Sequence, residues 1–155
     1  MNDAHVPVRQ ATSADAGVLA RLLTDFNTEY GDDVPPMSEL TSRFAQLLDL
    51  PTFDAFLVGE PVCGFGTVSL RPSIYYDGPV ALLEDLYVAP ARPSQGHGSE
   101  LMSVLLAHAR ESGWSAIEIQ VDESDVDAMR FYKRHGFVWR DEESGDRALL
   151  WWREV

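Results

Sequence analysis

One stretch restricts the architecture more than any other. It is the run Val80-Ala-Leu-Leu-Glu-Asp-Leu-Tyr-Val88, bracketed by Gly78-Pro79 before it and Pro90 after it. The run is too short for an ordinary helix and rich in residues that suit a pleated surface, so it predicts a strand over Val80 to Val88. Pro90 stops it, because proline has no N–H to give a strand ladder. The chain then passes Gly96 and Gly98 and takes up apolar residues at Leu101, Met102, Leu105, Leu106 and Ala109, the stripe of an amphipathic helix that closes near Gly113. A strand running through a glycine loop into a helix implies layers of helix on sheet. It also leaves the first N–H groups of the helix without internal partners, with the positive end of the dipole beside them. Gly-x-Gly there lets an anionic group approach the backbone closely.

The flanking pattern repeats this mixture. Val6 to Arg9 predicts a first strand, and Ser13 caps a helix carrying Val18, Leu19, Leu22, Leu23, Phe26 and Tyr30. After a break at Tyr30 to Pro36, a second helix carries Leu40, Phe44, Leu47 and Leu48 and ends before Pro51. Ala55–Val58 and Val62–Leu70 form a hairpin about Gly59-Glu60-Pro61. Ala116–Val121 alternates as a strand, and Ser124 with Asp127 opens a helix through Phe131 and Tyr132 that ends at Gly136. Phe137–Arg140 and Ala148–Arg153 predict closing strands. The order β-α-α-β-β-β-α-β-α-β-β, with no linker or repeat, predicts one α+β domain over 1–155.

Charge narrows the partners. Twelve basic residues face 25 acidic ones, a net charge of −13. That field repels phosphate backbones and anionic lipid, so neither nucleic acid nor a membrane surface is an expected partner, whereas a cation is favoured. No apolar run approaches the ~20 residues of a membrane span. The N-terminus shows no signal peptide, and the single cysteine, Cys63, suits a reducing compartment, so a cytoplasmic location is expected. His5, His97, His108 and His135 are scattered without ligand spacing, so no metal is expected. Of the pairs Tyr75-Tyr76 and Trp151-Trp152, one member each is expected in the core and the other is free to meet a cation by its ring face. Asp25, Glu29, Asp32 and Asp33 read either as a solvated run or as a lure for a cationic ligand.

A second motif lies one strand beyond the glycine loop: Asp125-x-x-Ala128-x-x-Phe131-Tyr132-x-x-x-Gly136-Phe137. The loop itself reads Val88-x-Pro90-x-x-Pro93-x-x-Gly96-x-Gly98. Together they resemble the V-x-P-x-x-[R/Q]-x-x-G-x-[G/A] loop and the N-x-x-A-x-x-[F/L]-Y-x-x-x-G-F motif of the GNAT acetyltransferase superfamily. Proline stands here at the Arg/Gln position and Asp125 at that of Asn. Leu83-Glu-Asp85, Gly98-Ser-Glu100 and Phe131-Tyr-Lys-Arg134 are similar in particular to its spermidine/spermine (diamine) branch.

The resemblance implies a GNAT-like mixed, mostly antiparallel central sheet with helices on both faces. It implies acetyl-CoA as co-substrate, its pyrophosphate on the backbone of Ser94, Gln95, Gly96, His97, Gly98 and Ser99, with Asp125 near it. The pantetheine arm would pair with Leu86, Tyr87 and Val88, where a backbone N–H would also steady an oxyanion. Tyr132 would be the general acid towards the departing thiolate. Glu84 would be the base. Asp85, its neighbour, would face the other way unless a bulge turned both towards the cleft. Asp85, Glu29 and Tyr76 would line the acceptor side. The implied activity is acetyl transfer to a primary amine, a small cation or polyamine foremost, by direct attack in a ternary complex. Protein N-termini or lysines are alternative acceptors, a silent acyl-CoA-binding module is the alternative from another class, and a homodimer is expected.

Overall fold

Residues 6–90 and 96–155 are described by the structure, a computed structural model. The elements are β1 (Val8–Gln10), a 3-10 turn (Ser13–Asp15), α1 (Ala16–Tyr30), α2 (Met37–Leu48), β2 (Phe53–Val58), β3 (Gly64–Arg71), β4 (Val80–Val88), α3 (His97–Glu111), β5 (Ala116–Ile119) and α4 (Val126–Arg134). They group into two compact units, Met1–Glu118 and Ile119–Val155.

In the first unit the sheet order follows the chain, β1-β2-β3-β4-β5, and β1 to β4 pair antiparallel. Alternation along β2 sorts the helices. Phe53, Ala55 and Leu57 point into a core with Leu19, Leu22, Leu40 and Phe44 of α1 and α2, joined by Phe65 of β3 and Tyr87 of β4. Phe56 points the other way and meets His108 of α3 edge-on, their rings 5.2 Å apart. Helices therefore cover both faces, and β2 and β3 are buried almost throughout. Each fully buried Leu or Phe side chain contributes roughly 1.5–3 kcal/mol relative to exposure.

The first-turn cap lies at Thr12, one residue before the expected Ser13, with Asp15 closing the capping box and holding Arg9 bidentately at 2.7 and 2.8 Å. Gly31 ends α1 in the left-handed conformation, φ 74°, its N–H returning to Asn27 and Thr28 carbonyls. Glycine is required where β3 crosses β4: a Cβ on Gly64 would lie 2.5 Å from the Tyr87 carbonyl oxygen.

In the second unit α4 is capped by Asp125, not Ser124, whose carboxylate accepts from the Ala128 N–H at 3.0 Å. Gly136 follows with φ 86°. The closing strands predicted over Phe137–Arg140 and Ala148–Arg153 do not form. One isolated bridge pairs Arg140 with Arg147, flanked by the bonds Ala148 N–H to Trp139 C=O and Asp141 N–H to Asp146 C=O. The polar run between the segments explains why pairing begins here and stops. The Asp141 side chain accepts from the Glu143 and Ser144 N–H groups and fixes a turn, but Leu149 to Trp152 find no ladder beyond it. The expectation that one of each aromatic pair is core also fails. Trp151 and Trp152 are 88% and 78% exposed, Tyr75 and Tyr76 85% and 53%.

Candidate functional site

The register of β3 against β4 slips once. Thr67 lies opposite Asp85 and Val68 opposite Leu83, so Glu84 is an extra residue with no partner of its own. This is a β-bulge at the position where the sequence reading needed one. Its effect is read from the partners on β3. Thr67 Oγ1 donates to Asp85 Oδ2 at 2.8 Å, and the Ser69 hydroxyl donates to Glu84 Oε1. Thr67 and Ser69 are two apart on a strand and share a face, so both carboxylates are drawn to that same face. It is the face of Phe65 and Tyr87, towards α1 and α2.

The two acids differ in environment. Glu84 is exposed, whereas Asp85 is half-buried beside the fully buried Thr67. Burial pushes the Asp85 carboxyl above the usual carboxylate range; the Thr67 bond opposes that shift and the charge of Glu84 adds to it. The sequence carried a signal for these hydroxyls that went unread: Thr67 and Ser69 are period-2 polar residues inside an otherwise apolar strand.

Two residues on, Tyr87 is buried, 6% exposed, with its ring stacked on Phe26 of α1 at 5.0 Å and 29°. Its hydroxyl donates to the Glu29 carboxylate. Burial first, then the Glu29 bond and the charges of Glu29 and Asp25, hold the phenol above its ordinary pKa, so it remains a donor. Glu84, Asp85 and Glu29 thus belong to one face of the first unit, joined through Tyr87. Tyr76 lies outside this group, exposed in the turn before β4. Leu86 and Val88 sit opposite Gly66 and Gly64.

Gly96 caps helix α3, left-handed with φ 71°, and among the described residues nothing lies within 4 Å of the position a Cβ would take. Its first internal bond runs from Glu100 N–H to Gly96 C=O, so the helix supplies no acceptor for the N–H groups of His97 and Gly98. Ser99 follows in the same turn. His97 is 6% exposed, and its Nδ1 is buried without a hydrogen-bond partner among the described residues. Among the described residues, an orphaned polar atom and N–H groups that the helix itself does not pair, at a 15-residue helix start, fit an anionic ligand with hydrogen-bonding capacity. Ser94 and Gln95, expected in the same loop, lie outside the described residues.

In the second unit Asp125 is the cap of α4, and Tyr132 is half-buried with Phe131 and Phe137 edge-on at 5.3 and 5.6 Å. Cys63 is buried, its Sγ 3.6 Å from the Val58 carbonyl. Among the described residues no three His, Cys, Asp or Glu side chains could hold a metal ion, and no helix is long and apolar enough to cross a membrane.

Comparison with known proteins places these features in a family. The chain is similar to bovine (Bos taurus) thialysine N-epsilon-acetyltransferase, 29% identical over 145 residues, covering 86% of this chain and 84% of that one. It is similar to the crystal structure of a provisionally assigned acetyltransferase from Arthrobacter sp. FB24, with TM-score 0.90, 40% identity and 96% of both chains covered. The fold alone is shared with the aminoglycoside N-acetyltransferase AAC(6')-Iy in complex with CoA, with TM-score 0.74, 16% identity, and 97% of this chain and 96% of that one covered. The model of the acetyltransferase (GNAT) family matches residues 19–137. The chain belongs to the GNAT family of acetyltransferases.

Proposed function

We propose that the chain transfers the acetyl group of acetyl-CoA to the primary amine of a small cation, with polyamines the leading class, by direct attack in a ternary complex. The observation that carries this reading is the bulge at Glu84, which sets two carboxylates side by side on one face of β4. An alkylammonium must lose a proton before its nitrogen can attack a thioester. Glu84, the exposed member of the pair, takes that proton directly or through a water, and Ser69 fixes the carboxylate while it does so. Asp85, more deeply set and pushed towards its neutral form, stays beside it as an acceptor of N–H bonds. The net charge of −13 draws cations to the protein.

The α3 start supports the other substrate. The His97 and Gly98 N–H groups and the His97 ring would hold the pyrophosphate, and acetyl-CoA supplies the activated acyl group. Tyr132 is the acid that returns a proton to the sulfur. This role rests on its place in the second motif.

Thermal denaturation with acetyl-CoA, against desulfo-CoA and ATP, tests the nucleotide half. A ligand at ~100 times its dissociation constant adds about 2.7 kcal/mol, so a saturable rise in midpoint greater than with ATP is expected. Amine-dependent release of CoA then tests the chemistry, and Tyr132→Phe should lose most of kcat. No midpoint rise at millimolar acetyl-CoA would refute the reading.

A further inference from the structure

We propose that Tyr87 is a positioning residue for the acceptor: its hydroxyl holds the Glu29 carboxylate, next to the Phe26 and Tyr30 rings, where it receives a second cationic group while the reacting amine lies at Glu84 and Asp85. The inference deepens the proposed function and rests on its assignment of this face to the acceptor.

Tyr87 is buried on the face that carries Asp85, two residues away along β4, so the two positions are roughly 6.5 Å apart. A buried phenol needs a partner, and this one takes the side chain of Glu29, on the last turn of α1, which is otherwise exposed. The ring that carries the hydroxyl is itself clamped between Phe26, stacked at 5.0 Å, and Phe65, edge-on at 6.2 Å. A carboxylate tied to so rigid a donor has little freedom left.

Among the described residues, the end of α1 lacks the cation that ordinary helix electrostatics would supply. A helix C-terminus carries partial negative charge and is normally matched by Lys, Arg or His in its last turn; α1 has none there. Among the described residues neither Asp25 nor Glu29 has an ion pair with a basic side chain. Tyr30, 65% exposed, stands edge-on to Phe26 at 5.2 Å and offers its ring face to an ammonium. Local rules broken together in this way mark a place built for something external. Two carboxylate stations on one face, joined through Tyr87, suit a substrate with two cationic groups separated by a short chain.

The test compares 1,4-diaminobutane with n-butylamine on the full chain, using wild type, Tyr87→Phe and Glu29→Gln. Wild type is expected to prefer the diamine. Tyr87→Phe should lower the diamine-to-monoamine ratio of kcat/KM about tenfold, through KM. Glu29→Gln should do the same, and the double variant should add little to either. Calorimetric titration of both amines without acetyl-CoA reads the same preference independently of turnover. If no amine is acetylated, the proposed function fails, yet a diamine bound about tenfold more weakly by Tyr87→Phe than by wild type, with monoamine binding unchanged, still upholds the second cation station. Equal loss for both amines, no loss, or a wild type that binds the diamine no better than the monoamine would overturn it and leave the Tyr87–Glu29 bond a strut between β4 and α1.

Discussion

Replacing Thr67 by valine should destabilise the chain most at neutral pH and least in acid. Thr67 is 1% exposed, and its hydroxyl donates to Asp85 Oδ2 at 2.8 Å across the β3–β4 pair. Valine keeps the shape and removes only the donor, so the loss isolates one bond. With Asp85 ionised, that bond is charge-assisted and is worth about 1.5–3 kcal/mol; with Asp85 protonated it joins neutral groups and is worth about 0.5–1.5 kcal/mol. The sign follows from the carboxyl. Burial has raised its folded pKa, and Thr67 opposes that rise, so valine raises it further. Unfolded Asp85 titrates near 3.9, so the cost of keeping it ionised is absent below that pH and grows as pH rises towards the folded value. In urea, with m about 2 kcal/mol/M, a loss of about 2 kcal/mol moves the midpoint down by ~1 M at pH 7.5, and the shift should roughly halve at pH 4. In an Asp85→Asn background the gap should lose its pH dependence. A gap equal at both pH values, or wider in acid, would refute the claim that Asp85 is a buried carboxyl held by Thr67.

The remaining expectations concern the other carboxylates and one glycine. Glu84→Gln should lower kcat by roughly 10²–10⁴ near neutrality in an amine-dependent CoA-release assay while the fold melts normally, since the Ser69 hydroxyl can still donate to the amide oxygen. Asp15, which Arg9 lowers to a pKa of about 2, contributes stability above its unfolded pKa that is lost as pH falls through about 2; Asp15→Asn should therefore cost about 1–2 kcal/mol at pH 7 and almost nothing at pH 2 by urea titration. Asp125→Ala should cost about 1 kcal/mol of local stability, read as faster exchange of the Ala128 amide, whereas Asp125→Asn keeps the cap. Gly64→Ala would put a Cβ 2.5 Å from the Tyr87 oxygen and 2.8 Å from Val58 Cγ1; a loss of about 1–3 kcal/mol is expected in thermal melts.

How much was legible depended on whether the signal was local. β4 falls at its predicted bounds because Gly78-Pro79 and Pro90 fence it on both sides. α3 was legible from its apolar stripe, and the end of α4 from Gly136. The C-terminal strands were misread because composition alone does not provide a partner: Val138, Leu149 and Leu150 suit a strand but have no ladder to join. The bulge was only partly visible. Adjacent acids in a strand say nothing about which faces they take; the slip that turns both to one face is a property of the β3–β4 register. The Tyr87–Glu29 bond spans 58 residues and left no local trace.

The distribution of partners among the acids argues that the excess negative charge is not uniform in purpose. Asp15, Glu39, Glu118 and Glu123 each face an arginine: Arg9, Arg43, Arg71 and Arg147. Such pairs cancel charge and contribute little beyond local order when exposed. On the face between β4 and α1 the pattern changes. Glu29, Glu84 and Asp85 are each held by a hydroxyl, from Tyr87, Ser69 and Thr67. A hydroxyl fixes the direction of a carboxylate without neutralising it, and it leaves the remaining lone pairs available. An arginine in any of these places would occupy the carboxylate and repel an incoming ammonium. Hydroxyl partners are therefore what a site needs if it must both attract a cation and take a proton from it, and exchanging Ser69 or Thr67 for a basic residue should abolish amine acetylation even where the fold survives.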